Sequence, residues 1–190
     1  MVDLGCGRGY WLGRMSDWHL PVIGLEYDSV RAAAAVGQAP VAVADAARLP
    51  LATGSVGLVW MIHVLHHLPD PPAVLAEVRR VLRPGGHLVL AETVEDNPAI
   101  RLGRHLHPHW DGVGVHARFT SATLAALVAE AGLSVDESRR HSLVSFAAWA
   151  LPVGDRWTWS VLDGVESRLP SRWRDRWGAH LELVASVPQG

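Results

Sequence analysis

The sequence predicts an α/β fold: a doubly wound parallel sheet with helices on both faces. Two observations predict it. Short apolar runs alternate with helical patterns five times along the chain, as expected of strands laid parallel by helical crossovers. The first run, Val2-Asp3-Leu4, also enters a turn with glycine at positions 5, 7 and 9, and a helical segment follows at once. A strand, a glycine turn and a helix N-terminus together make a site for a nucleotide-like ligand.

The elements follow in order. Glycines in the turn permit positive φ and let a ligand approach the bare backbone; Tyr10 to Met15 is the helix behind it. Val22 to Glu26 reads as the second strand. Asp28 suits the N-cap of a helix over Ser29 to Val36, which Gly37 ends. Val41 to Ala46 is the third strand, and Arg48 to Ser55 a turn-rich link. Val56 to Ile62 is a near-continuous apolar run, as in a strand covered on both faces. His63, His66 and His67 follow at its carboxyl end. Asp70-Pro71-Pro72 opens a helix whose apolar stripe is Val74, Leu75, Val78, Val81 and Leu82. Arg83-Pro84-Gly85-Gly86 stops it, and His87 to Glu92 is the fifth strand. Residues 93–118 lack a period. Thr120 caps the next helix, with Phe119 and Leu124 as a hydrophobic staple; Gly132 ends it. Leu133 to Ser138 and Leu181 to Val187 read as the last two strands.

Composition narrows the classes. A chain of 190 residues, 49% hydrophobic and 19% charged, reads as a single domain over 1–190 with an ordinary globular profile. A net charge of −2 offers no basic excess for nucleic acid. All 17 basic residues are arginine, so lysine catalysis is excluded. Cys6 is the sole cysteine, which excludes an intrachain disulfide and a cysteine metal cluster. The longest uncharged apolar stretch, around Leu143 to Val153, is too short to span a bilayer. No stable membrane anchor and no signal peptide are read, so a cytoplasmic protein is expected. Nothing in the sequence sets an oligomeric state.

The turn is G-x-G-x-G with Asp3 two residues before it, not the dinucleotide pattern G-x-G-x-x-G. An acid there repels a phosphate and suits a cationic ligand, such as the sulfonium and α-amino group of S-adenosylmethionine. Glu26 lies seventeen residues past Gly9, close to the offset of about 20 at which an acid meets ribose hydroxyls. The third strand also ends in an acid, Asp45, and Leu-Arg-Pro-Gly-Gly precedes the fifth. In these features, over roughly Val2 to Leu133, the chain resembles the class I S-adenosylmethionine-dependent methyltransferases of the small-molecule group.

The resemblance implies a Rossmann-like sheet whose last two strands form an antiparallel pair, and S-adenosyl-L-methionine as cofactor. It implies cofactor contacts from Asp3, Gly5, Cys6, Gly7 and Gly9, from Glu26 and Tyr27, from His63, and from Asp45 and Ala46, which would meet adenine. The alternative for Glu26 and Asp45 is a solvated acid at a strand end. Two departures stand out. Gly57 occupies a position where the family usually has an acid, and only Met1 and Val2 precede Asp3. A late start or a fragment is therefore expected.

Methyl transfer from a sulfonium is an in-line displacement that the cofactor already activates; the protein positions the acceptor and excludes water. A base is needed only where the acceptor must lose a proton, and no dedicated catalytic residue has to exist. His66 and His67 are the candidates, since imidazole titrates near neutrality; packing under the cofactor is the competing reading. The acceptor is expected to be a small molecule, through O, N or C. A catalytically weak or inactive methyltransferase-like binding protein is the alternative. A nicotinamide oxidoreductase is disfavoured by the glycine spacing. His105, His107 and His109 alternate, as an extended metal-binding segment would, but a loop lining the acceptor pocket is favoured, and no metal is expected. Residues 93–118 and 142–180 read as substrate-side or lid insertions. Trp149, Trp157, Trp159, Trp173 and Trp177 fall near or within the second. Burial over the sheet edge is favoured for them; the rival is an apolar surface meeting a partner, a lipid-like acceptor or, peripherally, a membrane.

Overall fold

The computed structural model describes residues 1–16, 18–98, 100–102, 116–142 and 156–189, with the backbone alone at 156–160 and 163. Seven strands form one sheet in the order β3-β2-β1-β4-β5-β7-β6. They are β1 (Val2–Leu4), β2 (Ile23–Glu26), β3 (Val41–Val43), β4 (Val56–Ile62), β5 (Leu82–Thr93), β6 (Ser134–His141) and β7 (His180–Ser186). The first five run parallel, and β7 is antiparallel to both β5 and β6. The doubly wound sheet and its antiparallel member match the expectation.

Helices α1 (Tyr10–Ser16), α2 (Ser29–Ala35), α3 (Pro71–Val81) and α4 (Ser121–Glu130) follow β1, β2, β4 and β5 in the chain, α3 after a short 3-10 turn at Leu65–His67. Their starts are written locally. The Asp28 side chain accepts from the Val30 and Arg31 amides. Asp70 accepts from the Ala73 amide. Thr120 and Thr123 form a reciprocal capping box, with Phe119 and Leu124 buried beside it. The predicted stripe of α3 is the buried one: Val74, Leu75, Val78 and Val81. It packs into the main core with Val2, Leu4, Val59, Met61, Leu88 and Leu90 from the central strands.

Three details differ from the sequence reading. Arg83 to Gly86 is not simply a turn before β5. Val56 pairs with Leu82 and Leu58 with His87, so these four residues bulge out of a continuous strand. A Cβ on Gly86 would sit 2.9 Å from the Arg83 carbonyl oxygen and 3.0 Å from that of Val56, so only glycine closes the bulge. Strand β6 runs on to His141 because β7 pairs with it throughout, although most of its side chains are exposed. Two further helices, α5 (Arg156–Arg168) and α6 (Ser171–Trp177), lead into β7. The tryptophans of α6 are not buried: Trp173 is 53% and Trp177 38% exposed. The favoured burial is wrong for this pair, because the seven-residue helix turns no tryptophan onto the core. Trp149 lies outside the described residues, as do the side chains of Trp157 and Trp159. Among the described residues no helix is long and apolar enough to cross a membrane.

Candidate active site

The parallel order β3-β2-β1-β4-β5 brings five carboxyl ends to one rim, where open α/β sheets bind ligands. The glycine turn lies there. Gly5, Gly7 and Gly9 have φ of 74°, 56° and 85°, which strains any residue with a Cβ. The amides of Gly5 and Cys6 donate to the Leu25 carbonyl at 2.7 and 3.2 Å and tie the turn to β2. A Cβ on Gly5 would collide with the Val64 side chain, whereas one on Gly7 would meet nothing within 4 Å among the described residues. The turn therefore packs against the protein at Gly5 and opens at Gly7.

Two acids lie directly behind it. Glu26 is buried; its Oε2 accepts the Gly7 amide at 2.8 Å and its Oε1 the Asp28 amide at 3.0 Å. Each carboxylate oxygen has a second lone pair, so both bonds leave capacity for hydroxyl donors. Asp3 is 3% exposed and its Oδ2 is buried with no hydrogen-bond partner among the described residues. Burial first, and the charge of Glu26 second, push the Asp3 carboxyl up to about 7. A buried acid with an orphan oxygen is costly and is relieved by a cation. Cys6 is buried, and its thiol is pushed up to about 12 by burial and by Asp3 and Glu26. It stays protonated and packs close to the bare Gly24, where a Cβ would stand 2.7 Å from its Sγ.

Asp45 stands further along the rim. β2 pairs with β3 through Glu26 and Val43, and Asp45 is two residues beyond. It is exposed, its Oδ1 accepting the Ala47 amide at 2.9 Å, while Ala46 is buried. Tyr27, beside Glu26, is 76% exposed. The acids at 3, 26 and 45 thus fall on three adjacent strands or just past them: Asp3 within β1, Glu26 the last residue of β2 and Asp45 two residues beyond β3.

The other half of the rim is made of imidazoles. His66 Nδ1 lies 2.6 Å from Glu92 Oε2, and Glu92 Oε1 accepts the Leu65 amide at 2.6 Å. Glu92 is fully buried, at 0% exposure. A carboxylate only accepts, so Nδ1 is the donor in this pair and Nε2 is the ring nitrogen left for another partner. His67 lies against His66, ring centres 4.0 Å apart. His63, with φ of 56°, bonds its amide to the Ala91 carbonyl and turns its ring toward β7, 4.7 Å from His180. His141 lies 5.3 Å beyond. Burial lowers His63; burial, His63 and His141 together take His180 down to about 3, so both rings are neutral near pH 7.

Sequence reasoning named His63, His66 and His67 but missed Glu92, His141 and His180. Glu92 was findable, as an acid near the carboxyl end of an otherwise apolar run, much like Glu26. His180 reaches this rim only because β7 pairs it with Thr93, which no local signal announces. His105, His107 and His109 lie outside the described residues. Among the described residues no three His, Cys, Asp or Glu side chains are placed to hold a metal ion together.

The family model for a methyltransferase domain matches residues 2–90. An uncharacterised methyltransferase of Mycolicibacterium paratuberculosis is 30% identical over 187 residues, covering 85% of this chain and 68% of that protein. The chain belongs to the class I S-adenosylmethionine-dependent methyltransferases. The 27-O-demethylrifamycin SV methyltransferase of Amycolatopsis mediterranei is 30% identical to this methyltransferase over 160 residues, covering 78% of the one and 59% of the other. A Haloferax volcanii methyltransferase, solved in complex with the Trm112 methyltransferase activator, superposes with a TM-score of 0.72 at 25% identity, over 98% of this chain and 81% of that chain. The chain spans about half the length of several of its curated relatives, from 37 to 59%.

Proposed function

We propose that this methyltransferase transfers the methyl group of S-adenosyl-L-methionine to a hydroxyl of a small-molecule acceptor. The residues fit the cofactor on one observation above all: the buried, unpartnered Oδ2 of Asp3 behind a turn that opens at Gly7. A cationic sulfonium and amino group relieve that oxygen; a phosphate would not. In this reading Asp3, Gly5, Cys6, Gly7 and Gly9 hold the cationic end. Glu26 and Tyr27 hold the ribose, and Asp45 and Ala46 the adenine. When bound, the cofactor supplies a methyl group already activated as a sulfonium.

The observation that carries the oxygen acceptor is the His66–Glu92 pair, 2.6 Å apart. An amine already has a lone pair and needs no base; a hydroxyl gains nucleophilicity as its proton leaves. Glu92 fixes the His66 ring through Nδ1 and favours the imidazolium that forms when Nε2 takes the proton. Its burial and its bond to the Leu65 amide hold the carboxylate still. The neutral His63 extends this acceptor wall toward β7; His67 has no assigned proton-transfer role. Residues 93–118 and 142–180 are read as the acceptor-side cover, consistent with acceptor choice lying in loops.

Calorimetry against S-adenosylmethionine, S-adenosylhomocysteine and NAD tests the cofactor half. Binding of the first two and not the third is expected, and NAD binding alone overturns it. Turnover on an acceptor panel of matched alcohols, phenols, amines and thiols tests the other half. Methylated hydroxyl products are expected; products confined to amines or thiols defeat the oxygen reading.

A further inference from the structure

Helix α6 carries the sequence Ser-Arg-Trp-Arg-Asp-Arg-Trp and buries none of its side chains. Helical spacing gathers Arg172, Trp173, Arg176 and Trp177 into one stripe, because positions four apart lie above each other and neighbours lie beside them. All four are exposed, and the Arg176 guanidinium lies over the Trp177 ring, 5.2 Å from its centre. On the preceding helix Val161 and Val165 are also exposed, one turn apart. Leaving two indoles in water forfeits the burial that large aromatics ordinarily gain.

Charge says what such a stripe meets. Four arginines against one aspartate make residues 168–177 three charges positive, in a chain whose formal net charge is −2. The rest of the molecule is therefore negative. An anionic surface attracts this face more than the net-negative remainder, which favours one orientation of approach. The pairing of indoles with guanidinium groups points to a bilayer. Tryptophan sits at the headgroup level with its apolar body down and its N–H toward water, and arginine beside it meets lipid phosphates. A nucleic acid strand needs a basic track longer than a seven-residue helix. We propose that α6 is a docking face for an anionic lipid bilayer, with Trp173 and Trp177 in the headgroup layer and Arg172 and Arg176 on lipid phosphates. The binding is peripheral and reversible, since this face offers only two indoles and a few charges.

The chain is co-sedimented with phosphatidylcholine vesicles, with and without about 30% phosphatidylglycerol, in low salt and in about 1 M salt. Binding is expected to the anionic vesicles in low salt, and to weaken at least about tenfold on neutral vesicles or in high salt. The double variants Arg172→Gln/Arg176→Gln and Trp173→Ala/Trp177→Ala are each expected to weaken it about tenfold or more. Their melting temperatures should hold, because the altered side chains are exposed. Asp175→Arg, which adds positive charge to the same exposed helix, is expected to strengthen binding and does not depend on the deletions folding. No sedimentation with anionic vesicles overturns the proposal. So does binding that none of the three variants changes, or tighter binding to a single-stranded oligonucleotide than to vesicles.

Discussion

The two halves of the rim handle charge in opposite ways. Around β1–β3 the chain gathers carboxylates: Asp3 and Glu26 behind the glycine turn and Asp45 beyond. Around β4, β5 and β7 it gathers imidazoles, His63, His66 and His180, on one buried carboxylate, Glu92. The first half has a buried acid oxygen with no partner among the described residues, which a cationic donor would satisfy. The second has a carboxylate at 0% exposure that holds the His66 ring and the Leu65 amide, which makes it a support rather than a ligand. On the proposed reading one half holds something positive, and the other orients an imidazole through its Nδ1.

The contrast breaks most sharply at His66. With the base removed in His66→Gln, kcat on a hydroxyl acceptor is expected to fall about 10²–10⁴-fold, while the S-adenosylmethionine dissociation constant stays within about twofold of the unaltered protein. Glu92→Gln keeps an acceptor for one donor but no longer stabilises an imidazolium. It should lose less, about 10–100-fold. Equal losses in cofactor affinity would show that the two halves do not divide the labour. Steady-state kinetics with isothermal titration on the same samples read both quantities.

Asp3 gives the second test. Without a ligand its carboxyl is protonated below about 7, whereas cofactor binding needs it ionised. Cofactor affinity should therefore rise with pH through about 7 and be accompanied by proton release. Asp3→Asn should flatten that dependence and weaken binding about tenfold or more, as for a lost charged hydrogen bond. An Asn variant whose affinity still climbs with pH would move the titrating group elsewhere.

How much of this the sequence showed follows the same division. Everything at the first half is local: Asp3 to Gly9 is one strand–turn–helix, and Glu26 and Asp45 each close a strand whose order is fixed by short connections. The acids at 3, 26 and 45 could be placed on one rim because parallel strands joined by short crossovers end at the same edge. The second half is assembled over distance. Glu92 meets His66 across 26 residues, and His180 meets His63 only through the antiparallel insertion of β7 beside β5. The bulge at Arg83 to Gly86 and the exposed indoles of α6 were misjudged for a related reason. Ladder continuity and burial belong to the packed sheet, and composition alone favours a turn and a buried tryptophan.

The smallest effect concerns stability, and there the two halves have opposite signs. Asp3 has a folded-state value near 7 against a usual 3.8. Native protein then holds a proton that the unfolded chain releases, so its contribution is full below about 3.8 and is lost as pH rises to about 7. His180 has a folded-state value near 3 against a usual 6.5. The unfolded chain then takes up the proton first, so this contribution is intact above about 6.5 and is lost as pH falls toward 3. The groups facing His180 include His63, His141 and Glu166. Of these His63 is lowered in the same sense, and Glu166 opposes the shift while bonding the Ser142 amide. Melting curves of the ligand-free protein separate the two halves. Above pH 7, Asp3→Asn should raise the melting temperature by a few degrees, about 2–4 °C for each kcal/mol, although it impairs cofactor binding. Between pH 6.5 and 5, His180→Gln should make the melting temperature fall less steeply than in the unaltered protein, while leaving the Asp3 effect in place. If Asp3→Asn melts lower at every pH, the orphan carboxylate is not a cost that the cofactor relieves, and the first half of the rim must be read as structural.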